Sequence, residues 1–436
     1  VTIINDSAAG QRSFLFLQGM ASQFFARLGK SLAARGHIVH RVNFNAGDMA
    51  FWRLPGGINY RGTAEAWPEF LADVLETRRV TDVILFGDCR PLHQAAIRVI
   101  RDMQVQVHVC EEGYIRPYWV TFERDGVNGH SNLPRNPDYY REFAATLPPM
   151  GAMPHLVSKF WRRAREDLLY NFASMTFGFL YPHYRTHRPH HRLIEYAGWS
   201  WKVIRSPLAK RRSARLAAEM ADESDFYLFP MQLNCDTQIR LHSTFGSMTP
   251  VIQTIIDSFR RHAPASSKLV IKEHPMDDGL INWRRLVARL AAESGVADRV
   301  IYLEVGNLDA LIARTRGVVT VNSTTGTLAL ATGVPLMVLG TAIYDIPGLT
   351  HQAGLDRFWT EAAAPDQALF DAFRRVIADR CLLVGGFFSE DAITQLVANA
   401  VTRLEAQVAP HPASRADFNA VGSIAHAAPS NAVLSA

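Results

Sequence analysis

The chain has 436 residues, with 46 Lys+Arg against 41 Asp+Glu and a formal net charge of +5. That length exceeds one ordinary core and implies about two domains, and a composition that is 48% hydrophobic and 20% charged excludes disorder and fibrous repeats. The four cysteines, Cys89, Cys110, Cys235 and Cys381, show no Cys-x-x-Cys spacing, which excludes a disulfide scaffold or a zinc ribbon and fits a reducing cytosol.

Phe14–Leu17 is a short apolar run ended by Gly19 and reads as a buried strand. Phe24, Phe25, Leu28 and Leu32 recur at helical spacing, and Gly36 stops that helix. Ile38–Phe44 is a second strand and Val80–Phe86 a third, followed by a helix over about Pro91–Met103 with proline at its start. Val105–Cys110 is a further strand. The pattern breaks near residue 124, where Asn, Pro and Gly crowd residues 125–138. Alternation resumes with strands at Phe226–Phe229, Lys268–Lys272, Arg299–Leu303, Val318–Val321 and Pro335–Leu339. Helices are expected between them, over Pro250–Arg261, Asn282–Ala292, Leu308–Thr315 and Thr325–Thr332. Strand–helix alternation predicts two parallel, helix-covered sheets. The chain is therefore read as an α/β protein of two Rossmann-like domains, 1–150 and 216–405, joined by an insert at 151–215 and followed by a disordered tail at 406–436.

The insert concentrates the charge. Residues 151–215 hold 13 Lys+Arg against three acids, a balance of +10 that leaves −5 for everything else. They also hold many aromatics. No stretch of about 18 uncharged apolar residues predicts a membrane span, and no signal peptide is expected. Trp161, Arg162, Arg163, Arg165, Trp199, Trp201 and Lys202 together suit docking on an anionic membrane face. A solvated helix pair with a few core aromatics is the plainer reading. A basic aromatic patch can also bind nucleic acid, but no recognisable module is present, so no nucleic-acid partner is expected.

Sites in open α/β sheets lie beyond the carboxyl ends of the strands. After Val105–Cys110 come Glu111, Glu112, Gly113 and Arg116. Two adjacent acids at a buried strand end suit a general base, or else a surface turn in which Arg116 pairs one acid. After Lys268–Lys272 come Glu273, His274 and Pro275, where a histidine fixed by proline can donate to a phosphate oxygen, or is simply a turn residue. After Val318–Val321 come Asn322, Ser323, Thr324 and Thr325, hydroxyls at a helix start that suit an anion or merely cap the helix. After Phe226–Phe229, Gln232, Asp236 and Gln238 form a polar cluster that contacts a ribose or base, or makes an Asx-type turn. In the first half, Gln18, Gly19, Asn43, Asn45, Asp48 and Arg116 would line the acceptor side of the cleft. P-loop, GxGxxG, HExxH and Asp-x-Asp patterns are absent, so neither a metal nor a cofactor is expected.

Glu-Glu-Gly in the first half, His-Pro in the second and the Ser/Thr-rich helix start after it resemble the motif set of CMP-sialyl- and polysialyltransferases. Phe14-Leu-Phe-Leu-Gln-Gly, Arg41-Val-Asn-Phe-Asn, Phe86-Gly-Asp, Glu111-Glu-Gly-Tyr-Ile-Arg-Pro and Lys272-Glu-His-Pro-Met-Asp are similar to the capsule polysaccharide biosynthesis family, and within it to the KpsS/LipB group. The resemblance spans about residues 14–390. It implies a GT-B fold and β-Kdo transfer from CMP-Kdo to a phosphatidylglycerol or lysophosphatidylglycerol, starting the linker of a Gram-negative capsule. The enzyme would act in the cytoplasm as a peripheral protein on the inner membrane, with other capsule assembly or export proteins as further partners. By the same resemblance Glu112, or else Glu111, is the general base. His274 and its neighbours Lys272, Glu273 and Pro275, with Ser323 and Thr324, would hold the CMP phosphate without a metal. One base fits inversion, whereas a β product from a β-linked donor requires net retention; the second glutamate or Asp236 would serve a two-step route. Transfer of another CMP-sugar such as sialic acid, and a non-catalytic export adaptor, are the competing readings.

Overall fold

The computed structural model describes residues 10–151, 156, 158–186, 192–219, 225–234, 239 and 242–406. Among the described residues, twelve strands run in chain order: β1 Ser13–Phe16, β2 Ile38–Asn43, β3 Gly57–Asn59, β4 Asp82–Phe86, β5 Gln106–Glu112, β6 Trp119–Arg124, β7 Phe226–Pro230, β8 Lys268–Lys272, β9 Val300–Leu303, β10 Gly317–Thr320, β11 Leu336–Val338 and β12 Leu382–Val384. They form two sheets, one in the order β12-β6-β5-β4-β1-β2-β3 and the other β11-β10-β7-β8-β9. The second sheet is wholly parallel. In the first, β6 and β12 pair antiparallel and the rest parallel. This is an α/β arrangement of two Rossmann-like sheets.

The apolar runs dictate the central strands. Phe14, Leu15 and Phe16 of β1 are wholly buried, as are Leu269, Val270 and Ile271 of β8, because strands covered by helices on both faces need no polar side. Flanking helices present one apolar stripe each. The helix Phe24–Ala33 buries Phe24, Phe25, Leu28 and Leu32, and the helix Met248–His262 buries Val251, Ile252, Ile255, Ile256 and Phe259.

Two features differ from the expected domain pattern. The antiparallel strand β6 lies between the expected strand Val105–Cys110 and the Asn-, Pro- and Gly-rich stretch 125–138, where the sequence predicts no element. Its Val120 and Phe122 enter one core, while Glu123 on the other face is buried among Tyr114 and Ser131, which both donate to it. Burial pushes that carboxyl up to about 7, against the hydrogen bonds that favour its charge. The chain also returns to the first sheet at its end. Strand β12 joins β6, and the helix Glu390–Glu405 packs on Phe24–Ala33. Residues 382–405, expected in the second domain, therefore belong structurally to the first. Their apolar side chains Leu383, Phe387, Phe388 and Leu396 complete the core around Phe24. Of the expected tail at 406–436, residues 407–436 lie outside the described residues.

Among its described residues the insert carries two α-helices, Phe160–Thr176 and Arg192–Glu219. The second continues through Pro207. Both are anchored to the two sheets, as the site geometry makes clear.

Candidate active site

Glu111 and Glu112 end β5, so alternation sends them to opposite faces of the sheet. The Glu112 carboxylate meets Arg116 at 2.7 Å and Arg163 at 3.1 Å. The plain reading in which Arg116 pairs one acid therefore describes the turn, and the insert adds a second cation. Gly113 makes the turn possible, since a Cβ there would lie 2.3 Å from the Trp119 carbonyl oxygen.

Across the cleft, Glu273, His274 and Pro275 follow β8 in a braced loop. Asp277 accepts from the Trp283 indole at 2.9 Å and from the Gly279 N–H at 2.9 Å. Glu273 accepts from Tyr302 at 2.6 Å, and the Lys272 ammonium donates to the Glu273 carbonyl at 2.8 Å. His274 Nδ1 accepts from the Met276 N–H at 3.0 Å, which leaves the ring proton of the neutral form on Nε2. Burial first, then the positive charges of Lys202, Lys272 and Arg116, hold His274 down to about 4. Arg116 thus pairs with Glu112 on the first half and also acts on His274 of the second.

The helix start after β10 faces the same boundary. Ser323 Oγ accepts from the Thr325 N–H at 3.2 Å and donates to Thr325 Oγ1 at 3.1 Å. Thr327 donates to the Tyr114 carbonyl at 3.1 Å, tying this turn to the segment after Glu112. Gln232 and Asn322 are paired reciprocally, the Gln232 side-chain amide donating to Asn322 Oδ1 at 2.8 Å and the Asn322 N–H donating to Gln232 Oε1 at 3.0 Å. They brace the turn through each other. Asp236 and Gln238 lie outside the described residues.

The expected acceptor-side residues come together, but around the insert. Gln18 donates to the Tyr170 and Tyr184 hydroxyls at 3.1 and 3.0 Å; Asn45 donates to Tyr170 at 2.9 Å, and Tyr170 donates to Asp48 at 3.0 Å. Asp48 is also ion-paired with buried Arg41 at 3.0 Å. Asn43 bonds Asn59, which accepts from Tyr181 at 2.8 Å. The Gly19 carbonyl accepts from Arg90 at 3.0 Å. Gln18, Asn45 and Asp48, and Asn43 through Asn59, are thereby tied to tyrosines of the insert, and Gly19 to Arg90. Tyr170→Phe is expected to cost about 1–3 kcal/mol, since the lost hydroxyl leaves buried partners unsatisfied. Urea unfolding of the two proteins measures it.

A family model for "Capsule polysaccharide biosynthesis protein" matches residues 81–388. The chain belongs to the capsule polysaccharide biosynthesis family. It is 36% identical over 368 residues to the Capsule polysaccharide export protein KpsS of Escherichia coli, covering 83% of this chain and 93% of that one. It is 34% identical over 392 residues to the Capsule polysaccharide modification protein LipB of Neisseria meningitidis serogroup B, covering 87% and 92%. Among solved structures, Thermosulfurimonas dismutans KpsC, a beta Kdo 2,7 transferase, aligns with a TM-score of 0.45 at 14% identity, over 89% of this chain and 99% of that one.

In this member of the capsule family, the residues expected to dock on a membrane divide into two groups. Lys202 belongs to the candidate site: its ammonium pairs with Glu273 at 2.7 Å and donates to the Asp277 carbonyl at 3.1 Å. The cause is close helix packing at Gly198, where a Cβ would lie 2.3 Å from the Asp278 carbonyl oxygen. Trp199 is half-buried beside Lys202. Arg162 pairs with Glu166 and Glu390, and Arg163 with Glu112 and the Phe388 ring. These cations cement the insert to the fold. Trp161, Arg165 and Trp201 remain exposed. Beside them an apolar face that composition alone did not show is open: Phe160, Leu168, Phe172 and Phe179 near the first helix, and Ile194, Val203, Ile204 and Leu208 on the second. No helix among the described residues is long and apolar enough to cross a membrane.

Proposed function

We propose that this protein is a glycosyltransferase that moves Kdo from CMP-Kdo to a phosphatidylglycerol or lysophosphatidylglycerol, starting the linker of a capsular polysaccharide. The observation that carries the reading is that Glu112, paired with Arg116, is followed by Tyr114, whose carbonyl accepts from Thr327 of the hydroxyl-rich turn on the other half. A base on one half and an anion-binding loop on the other then share one reaction space. Glu112 takes the proton of the acceptor hydroxyl. The Nε2–H of His274, with Lys202, Lys272 and the Ser323–Thr325 turn nearby, receives the charge that develops on the departing CMP phosphate. A monophosphate needs less neutralisation than a diphosphate, so these groups serve without a metal on the donor. Glu111 is the candidate second carboxylate if the reaction takes two steps.

The exposed apolar and aromatic face, with Arg165 and the other exposed basic residues of the insert, would rest on an anionic inner-membrane leaflet from the cytoplasmic side. Each basic residue near such a surface contributes about 1 kcal/mol, and Trp161 favours the interface. Co-sedimentation with phosphatidylglycerol vesicles is expected, weakening with salt and in Trp161→Glu with Phe179→Glu. Equal binding to neutral phosphatidylcholine vesicles would count against the anionic contribution.

The deciding experiment is product analysis by NMR after incubation with CMP-Kdo and a phosphatidylglycerol analogue, alongside CMP-sialic acid. Transfer from CMP-Kdo alone, with the anomeric configuration read directly, supports the reading. Transfer from CMP-sialic acid instead would replace the donor, and no CMP binding by calorimetry would favour an adaptor.

A further inference from the structure

Four side chains of metal-ligating type gather where the two halves meet, Asp88 from the Phe86-Gly-Asp run and three from outside the motifs quoted above. Asp88 and Cys89 follow β4 after Gly87, which turns the chain with a φ of +68°. His130 ends the short 3₁₀ turn Asn128–His130 after β6. His242 comes from the second half, after β7. One ligand atom from each of the four lies within 4.8 Å of all the others. Cys89 Sγ is 3.1 Å from His242 Nε2 and 3.2 Å from Asp88 Oδ1, and His130 Nδ1 is 2.9 Å from Asp88 Oδ2.

We propose that Asp88, Cys89, His130 and His242 form a transition-metal site, selective for zinc, that staples the two halves of the protein together. Tetrahedral zinc with bonds of about 2.0–2.3 Å sets its ligands about 3.3–3.8 Å apart. The contacts of 2.9–3.2 Å are a little shorter than that, and the four atoms all lie within 4.8 Å of one another, so small outward side-chain movements admit the ion. One thiolate, two imidazoles and a carboxylate suit zinc and not magnesium or calcium, which take oxygen ligands. On binding, the ion takes the place of the hydrogen bonds within the cluster, and the thiol proton leaves to solvent.

The surroundings are built around these side chains. Asp88 accepts from the Val127 N–H at 3.1 Å, and the His242 carbonyl accepts from the Thr341 N–H at 2.8 Å. Gly129 lies so close that a Cβ there would be 2.4 Å from His242 Nδ1. Asp88, Cys89 and His242 are buried, while the His130 side chain is 43% exposed and gives an ion an entry path. Three ligands stand on the first half and one on the second, so the ion's effect would be on domain closure. The expectation of a metal-free protein thereby narrows to a metal-free donor loop.

The test uses the whole chain, stripped with a chelator, reloaded with zinc or cobalt and desalted. Close to one zinc per chain is expected by mass spectrometry of the metal, with a higher melting temperature than the stripped protein. Cobalt is expected to give tetrahedral d–d bands and a thiolate charge-transfer band. Cys89→Ser should lose that charge-transfer band, and His130→Ala and His242→Ala should lose retained metal and the thermal shift. Failure of the wild-type protein to retain either metal overturns the proposal. So does a cobalt thiolate band that survives Cys89→Ser. If His242→Ala does not fold, His130→Ala, at a half-exposed position, and the wild-type metal content still decide. None of these readouts depends on the donor or acceptor assigned above.

Discussion

Glu112→Gln is expected to lower sugar transfer by about 10²–10⁴-fold, the usual worth of a positioned general base. Glutamine keeps the size and one acceptor oxygen but takes no proton. The loss is expected in turnover, with donor affinity largely kept, because the CMP phosphate is held by the other half of the cleft. The two arginines at 2.7 and 3.1 Å occupy part of the carboxylate's lone-pair capacity and fix its direction. Folding is little disturbed: all three side chains are partly exposed, and such pairs contribute about 0–1 kcal/mol. Glu111→Gln, on the opposite face of the strand, is the control for a one-step reaction and is expected to have the smaller effect. CMP release and product formation are measured side by side. Undiminished transfer in Glu112→Gln removes the residue from its role, and a larger loss in Glu111→Gln moves the role to its neighbour.

The parts legible in the sequence are those set by local pattern. The continuous apolar runs of β1, β4, β7 and β8, and the polar turns after them, follow from burial on two faces and from the carboxyl-end rule. Short or long-range features were not legible. Strands β3 and β12 have three residues each, too few to show a period, and the pairing of β12 with β6 joins segments some 260 positions apart on the chain (Leu382 with Thr121). Lys202 looked like one more cation of a basic collar. Only the placement of its helix against the loop after β8 gives it Glu273 as a partner. The lone Gly198 within that helix was the available signal, because a glycine in a helical run often marks close packing. Gln18, Asn45 and Asp48 are legible as strand-end polar residues, but the Tyr170 hydroxyl that bonds all three lies more than 120 positions away. The cluster at 88, 89, 130 and 242 has no spacing from which a ligand set could be read.

His274→Ala is expected to cost about 10²–10³ in turnover, the scale seen when one donor to a developing anion is removed. The geometry specifies the kind of help lost. With Nδ1 accepting the Met276 N–H, the neutral ring offers Nε2–H outward. Burial and the charges of Lys202, Lys272 and Arg116 keep it neutral down to about pH 4, so it starts as a hydrogen-bond donor and not as a cation. A phosphate arriving among those three cations adds negative charge and draws the histidine pKa upward, and the interaction strengthens as the leaving group takes on charge. His274→Gln retains an N–H donor and is expected to recover part of the loss. The same residue carries a pH signature in folding. Its folded value lies below the ordinary 6.5, so the unfolded chain binds the extra proton. The contribution is full above about pH 6.5 and is lost as pH falls towards about 4. Thermal melts across that window are expected to show a shallower decline in His274→Gln than in the wild type. Equal turnover in His274→Ala would remove the histidine from the reaction. Parallel melting curves with reduced turnover would leave its chemical role and refute the account of its environment.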